Sequence, residues 1–189
     1  MGKMNGVLNV AAFIKNSEVV GPGIRDALWV QGCSILCPGC FNQDFLPHIQ
    51  RRMIPVSDFL KHFQNRIGHI DGVSVLGGEP TEQAEALADM LEGVQALGLS
   101  TVVFTGRVYE ELLAANDSFI ARLLEATDLL IDGPYIASER DRSLYWRGSR
   151  NQRLLYLTPR LQANNECPMT EIVIYKDTVV VNGVVQVRL

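Results

Sequence analysis

Between Ala27 and Asp132, short apolar runs alternate with amphipathic stretches of helical period, and this alternation restricts the fold to a sheet built from βα units. Strands read at Val7 to Phe13, Ala27 to Val30, Gly72 to Leu76, Ser100 to Phe104 and Leu129 to Asp132. Helices read at Val56 to Ile67, Thr81 to Leu97, Tyr109 to Ala115 and Phe119 to Ala126; in the first, Phe59, Leu60, Phe63 and Ile67 form the apolar stripe. Gly98 is a natural stop for the second. An eight-unit βα barrel takes ~250 residues. This chain has 189, so the expected class is α/β, an open partial (β/α) barrel of about five or six parallel strands with a C-terminal β-hairpin extension. Ligands gather at the carboxyl ends of parallel strands. The loop after Val30, the loop Gly77-Gly78-Glu79-Pro80 and the turns at Thr105-Gly106 and Asp132-Gly133-Pro134 are therefore expected on one face.

The texture changes after Asp132. From Glu139 to Arg153 five arginines (Arg140, Arg142, Arg147, Arg150 and Arg153) face two acids, Glu139 and Asp141, a local cationic excess. The tail then reads as strands, Ile172 to Tyr175 followed by a hairpin of Val179 to Val181 and Val184 to Val187 joined by Asn182-Gly183, a pair favoured in type I′ turns. A core over 1–153 with a strand-rich extension over 154–189 packed on the same domain is the expected organisation. The chain is 47% hydrophobic with a net charge of −4, a balance that argues against sequence-independent binding to nucleic acid or to an anionic membrane. No apolar run approaches the ~18 residues of a membrane-spanning helix, and the first residues lack a basic region leading into an apolar stretch, so a cytoplasmic protein is expected.

Three of the four cysteines fall within eight residues, Cys33-Ser-Ile-Leu-Cys37-Pro-Gly-Cys40. The spacing CxxxCxxC in a loop with Gly and Pro lets three thiolates converge on one soft metal centre. A disulfide accounts for one pair only. Tetrahedral zinc wants four ligands, and the nearest extra candidates, His48 and Cys167, stand at no zinc-finger spacing. Three ligands suit a 4Fe-4S cluster with one iron open to a further ligand; zinc and buried unreactive cysteines are the alternatives. Cys167, alone before a strand, receives no role.

Gly21-Pro22-Gly23-Ile24-Arg25, Trp29-Val30-Gln31-Gly32-Cys33 and Cys37-Pro38-Gly39-Cys40-Phe41-Asn42 together resemble the radical S-adenosylmethionine family, and more narrowly its glycyl-radical-enzyme activases. The Cys-Pro-Gly-Cys form is similar to anaerobic ribonucleotide reductase activating proteins. The likeness continues at Leu76-Gly77-Gly78-Glu79-Pro80, Phe104-Thr105-Gly106, Leu130-Ile131-Asp132-Gly133-Pro134 and Trp146-Arg147-Gly148-Ser149, and so covers about residues 7 to 153. The resemblance implies that Cys33, Cys37 and Cys40 hold a 4Fe-4S cluster whose open iron is chelated by S-adenosylmethionine, and that Gly77, Gly78 and Glu79 receive the methionyl amino end. Glycine permits close backbone approach, and a carboxylate offers acceptors to an ammonium group; an ordinary strand-to-helix turn is the plain alternative. Arg25, Thr105 and Asp132 are candidate cofactor contacts, with Arg147 and Arg153 as candidate cofactor or substrate contacts by position. A surface arginine, a turn-capping aspartate and solvated charge are their structural alternatives.

The activity the resemblance implies is reductive cleavage of S-adenosylmethionine to a 5′-deoxyadenosyl radical that takes a hydrogen from Cα of a glycine in a partner glycyl radical enzyme, with a flavodoxin- or ferredoxin-like electron donor. No acid–base residue is required for the cleavage, so no catalytic residue beyond the cluster ligands is assigned. Arg107 stands where relatives tend to carry an aromatic residue and Arg150 where a small polar one is usual. Two other readings remain: a radical enzyme acting directly on a small molecule or peptide, and a non-catalytic iron–sulfur or zinc protein.

Overall fold

The structure, a computed structural model, describes residues 6–162, 168, 170–174 and 179–183. Strand β1 (Val7–Ser17) turns through residues 18–24 into β2 (Arg25–Val30), and the two pair antiparallel. After the cysteine loop a three-residue β3 (Met53–Pro55) pairs antiparallel with β1 and leads into α1 (Val56–Gln64). Then come β4 (Gly72–Gly77), a 3-10 turn over Pro80–Gln83, α2 (Ala84–Ala96), β5 (Ser100–Phe104), α3 (Tyr109–Ala114), α4 (Ser118–Glu125), β6 (Leu129–Asp132) and β7 (Arg153–Tyr156).

These strands form one mixed sheet in the order β3-β1-β2-β4-β5-β6-β7. Only β2, β4, β5 and β6 are mutually parallel, which corrects the expected five or six. Strand β1 reaches β2 through a connection too short for a crossover, so the pair must be antiparallel, and β7 folds back antiparallel on β6. Because β7 begins at Arg153, the sheet runs past residue 153.

Alternation along each strand sorts the two faces. Leu28 and Val30, Val73 and Val75, Val103 and Leu130 turn to one side and pack in a single cluster with Phe59 and Phe63 of α1, Leu87 and Leu91 of α2, Leu112 of α3 and Leu123 of α4. Each such side chain contributes roughly 1.5–3 kcal/mol by leaving water. On the opposite face Trp29 packs with Ala11, Ile14 and Val19, and Val102, Leu129 and Ile131 pack with Phe104, Trp146 and Leu154. With every helix on one side, a cavity can form on the other.

The second helix starts as a 3-10 turn because Pro80 fixes the first turn and the Glu79 carboxylate accepts the Thr81 N–H. At the tail, β8 (Thr170–Ile174) pairs antiparallel with β9 (Val179–Gly183). This corrects the expected turn: Asn182 and Gly183 lie in β9, opposite Glu171 and Thr170. Asn-Gly favours a turn locally, but register is set by pairing along the whole strand, and the β-branched run Ile172–Ile174 pairs with Val179–Val181. The expected strand Val184 to Val187 lies outside the described residues. Among the described residues no helix is long and apolar enough to cross a membrane.

Candidate metal centre

The cysteine loop leaves β2 and is pinned at its base, where Gly32 and Cys33 donate their N–H groups to the carbonyls of Phe45 (2.8 Å) and Leu46 (3.0 Å). Within it, Cys37-Pro38-Gly39-Cys40 is a tight turn. The Cys40 N–H donates to the Cys37 carbonyl at 3.1 Å, and Gly39 has φ +76°. Proline second and a left-handed glycine third are what a type II turn requires, so this tetrapeptide brings the second and third cysteines back toward each other. Cys33 is buried, Cys37 and Cys40 are half-buried, and all three are free thiols. Burial pushes the Cys33 thiol up, against the N–H groups of Leu36 and Ile35, which favour its thiolate. Among the described residues no three His, Cys, Asp or Glu side chains stand close enough together to hold a metal ion. The loop thus gathers three soft donors without drawing them into a finished ligand set. Three unpaired thiols on one tethered loop, beside a cavity, are a donor set that fits an iron–sulfur cluster.

The next loop along the sheet edge locks onto this base. Gly78 N–H donates to the Val30 carbonyl (2.8 Å) and Glu79 N–H to the Gly32 carbonyl (2.7 Å). A Cβ on Gly78 would lie 2.0 Å from the Gly32 oxygen, and one on Gly77, at φ +111°, 2.4 Å from the Val30 nitrogen. Both glycines are needed for backbone to meet backbone. Glu79 is 1% exposed. Its Oε1 accepts from Thr81 N (3.0 Å), Thr81 Oγ1 (2.7 Å) and Thr105 Oγ1 (2.7 Å), and its Oε2 from Gly106 N (2.9 Å). One buried carboxylate therefore ties the loop after β4 to the turn after β5.

A second carboxylate, unassigned by the sequence, braces the cysteine loop itself. Glu82 Oε1 accepts the Ser34 N–H (2.8 Å), and its Oε2 lies 2.8 Å from Nε2 of His48. The His48 ring rests against Gly32, where a Cβ would come within 2.9 Å of it. Burial alone would raise the Glu82 pKa, but the hydrogen bonds from His48 and Ser34 outweigh it and hold the carboxyl below its ordinary value. Gln83 joins the same edge, its amide donating to the carbonyls of Asn9 and Gln31. The signal for both was their place in the first turn after a strand, where polar side chains bond back to the preceding loop.

Thr105 and Asp132 lie at the predicted edge and are buried. Asp132 accepts from Tyr109 N (2.8 Å) and from Arg153, Nε to Oδ1 (2.9 Å) and Nη2 to Oδ2 (2.5 Å). Arg153 also spans to Glu110. The two predicted contacts thus meet each other and join β6, β7 and α3. Arg25 is a correction. It sits at the amino end of β2, level with Gly72 at the start of β4 and so at the edge away from the cysteines. It is fully buried, and all five of its N–H donors are used, on Ser74 Oγ, Pro22 O, Ser100 Oγ, Val73 O and Ser100 O. Desolvation lowers its pKa to about 10. It is neither a cofactor contact nor a surface residue.

A cavity of ≈ 430 Å³ opens on the face without helices. Trp29, Leu76 and Phe104 supply its apolar floor, Gly39 and Cys40 one wall, and Arg140, Arg142, Arg147 and Trp146 the other. Arg147 makes only long contacts, 3.4 Å, to the carbonyls of Tyr145 and Gln152. The site accordingly offers soft thiols beside an apolar floor under a cationic cap.

Residues 19–155 match the family model described as a 4Fe-4S single cluster domain. The anaerobic ribonucleoside-triphosphate reductase-activating protein of Salmonella typhimurium is 32% identical, over 74% of this chain and 92% of that protein. The protein of the same name from Escherichia coli K12 has the same identity and coverage. Pyruvate formate-lyase 1-activating enzyme of Escherichia coli K12 is 31% identical over 68% of this chain, which spans 52% of that enzyme. Among solved structures, QueE from Escherichia coli aligns over 56% of this chain and 54% of that one, at 18% identity and a TM-score of 0.44.

Proposed function

The chain belongs to the 4Fe-4S single cluster domain family, as a radical S-adenosylmethionine enzyme of the activating type, and on that premise we propose that it installs a glycyl radical on an anaerobic ribonucleoside-triphosphate reductase. What supports the reading is one arrangement: three free thiols on a loop whose base is bonded, through Gly78 and Glu79, to the next loop of the same sheet edge. Cys33, Cys37 and Cys40 would hold the cluster. When bound, the cluster and S-adenosylmethionine supply the electron and the 5′-deoxyadenosyl radical that removes a hydrogen atom from Cα of the partner's glycine.

The chain's own residues orient and enclose. The Gly77-Gly78 backbone would receive the methionyl amino end, while Glu79 acts from behind, fixing the loop through Thr81, Thr105 and Gly106. Asp132 and Arg153 hold the far strands in place. The apolar floor of Trp29, Leu76 and Phe104 keeps water from the reacting centre. The partner is a glycyl radical enzyme, with a flavodoxin- or ferredoxin-like protein as electron donor.

The test is anaerobic reconstitution with iron and sulfide, reduction, and addition of S-adenosylmethionine with the host's anaerobic ribonucleoside-triphosphate reductase. Expected are 5′-deoxyadenosine and the reductase's glycyl radical signal in electron paramagnetic resonance. Each of Cys33→Ala, Cys37→Ala and Cys40→Ala should abolish both, and Cys167→Ala neither. Nucleoside without a radical on the reductase would move the hydrogen donor to another peptide or a small molecule.

A further inference from the structure

Trp146 carries two anomalies at one position. Its backbone lies at φ +60°, a left-handed conformation that bulky residues rarely adopt and that persists only where the surroundings impose it. Its indole N–H is buried with no hydrogen-bond partner among the described residues, although buried Trp N–H groups ordinarily find one. The cap enforces the conformation from just beyond it: Gly148 and Ser149 both donate their N–H groups to Gln152 Oε1, and the Gly148 carbonyl accepts from Asp141. Trp146 lines the cavity, packed over Val102, Leu129 and Ile131 of β5 and β6. That is the side of the sheet remote from β2, which delivers the cysteines.

Resting on the partner assignment above, we propose that Trp146 is a substrate contact whose indole N–H donates a hydrogen bond to a main-chain carbonyl of the glycine-bearing segment of the reductase. An extended segment entering the cavity presents carbonyls that lose water and need donors. The far wall opposite Cys40 is where it would lie once the cluster and its cofactor take the near side. A donor kept unpaired in the free protein, at the cost of a strained backbone, is suited to an acceptor that arrives with the substrate.

The test compares the parent enzyme with Trp146→Phe and with 3-benzothienylalanine at position 146, which keeps the ring's shape and removes only the N–H. The inference expects both variants to raise the KM for the reductase by about five-fold, with the Kd for S-adenosylmethionine and the partner-free rate of 5′-deoxyadenosine formation unchanged. More nucleoside would be spent per glycyl radical. A parental KM in the benzothienyl variant overturns the inference. So does an equal loss of S-adenosylmethionine affinity, which would put the acceptor on the cofactor. Failure of the parent enzyme itself to radicalise the reductase, while still cleaving S-adenosylmethionine, would overturn the partner assignment and this inference with it.

Discussion

Thr105 donates its hydroxyl to Glu79 Oε1 at 2.7 Å, joining two successive loops of the parallel sheet through a buried carboxylate 26 residues away in the chain. Thr105→Val removes that donor while keeping the shape. It should lower stability by about 1–2 kcal/mol, and Glu79→Gln, which sets an amide N–H among donors, by about 2–3 kcal/mol. Chemical denaturation measures both; a neutral Thr105→Val would mean the contact carries no weight.

Gly78→Ala should be worse for the metal than for the fold. Its Cβ would meet the Gly32 oxygen at 2.0 Å, and since that atom is backbone, Gly32 and the adjoining Cys33 must move. A loss of about 1–3 kcal/mol is expected, together with substoichiometric iron after anaerobic reconstitution. Gly98→Ala is the control. Its φ is +82° but nothing lies within 4 Å of the added Cβ, so it should carry backbone strain alone, about 1 kcal/mol, with full iron content.

Arg25→Met should destabilise by about 3 kcal/mol or more, because several buried acceptors lose their donor at ~1–3 kcal/mol each. Per folded molecule, iron binding and S-adenosylmethionine cleavage should be unaffected, since Arg25 lies at the amino edge of the sheet. A folded, iron-replete Arg25→Met that failed to cleave the cofactor would return Arg25 to the site.

The acid limb of stability should report Glu82. Its carboxyl is held below the ordinary 4.5, burial being outweighed by the His48 and Ser34 hydrogen bonds. A depressed carboxyl contributes stability in full above its unfolded value and loses it as pH falls through the folded one. The Tm advantage of the parent over Glu82→Gln should therefore be constant from neutrality to about pH 5 and shrink below 4.5. An advantage that instead grows in acid would reverse the sign assigned to this contact.

What could be read from the chain alone is what local periodicity and spacing encode. Strands β5 and β6 lie where the apolar runs place them, Ser100–Phe104 and Leu129–Asp132, and the four helices differ from expectation by a few residues at their ends. The CxxxCxxC spacing, with Pro38 and Gly39 inside it, defined the turn that gathers the thiols, because a type II turn is a four-residue property.

Tertiary structure decided everything that depends on which segments meet. Periodicity says that β1 and β7 are strands or loops but not which way their neighbours run, so four parallel strands flanked by antiparallel ones emerged only from the assembled sheet. Asn182-Gly183 prefers a turn, and pairing of the longer strand overruled it. Arg25 was assigned to the site because arginine is seldom fully buried, yet five acceptors from distant segments make its burial tolerable. Glu79, Glu82 and Trp146 follow the same logic. Their roles lie in hydrogen bonds made, or left unmade, across long stretches of chain, and the free energy of a buried polar group is set by the partners that folding brings to it.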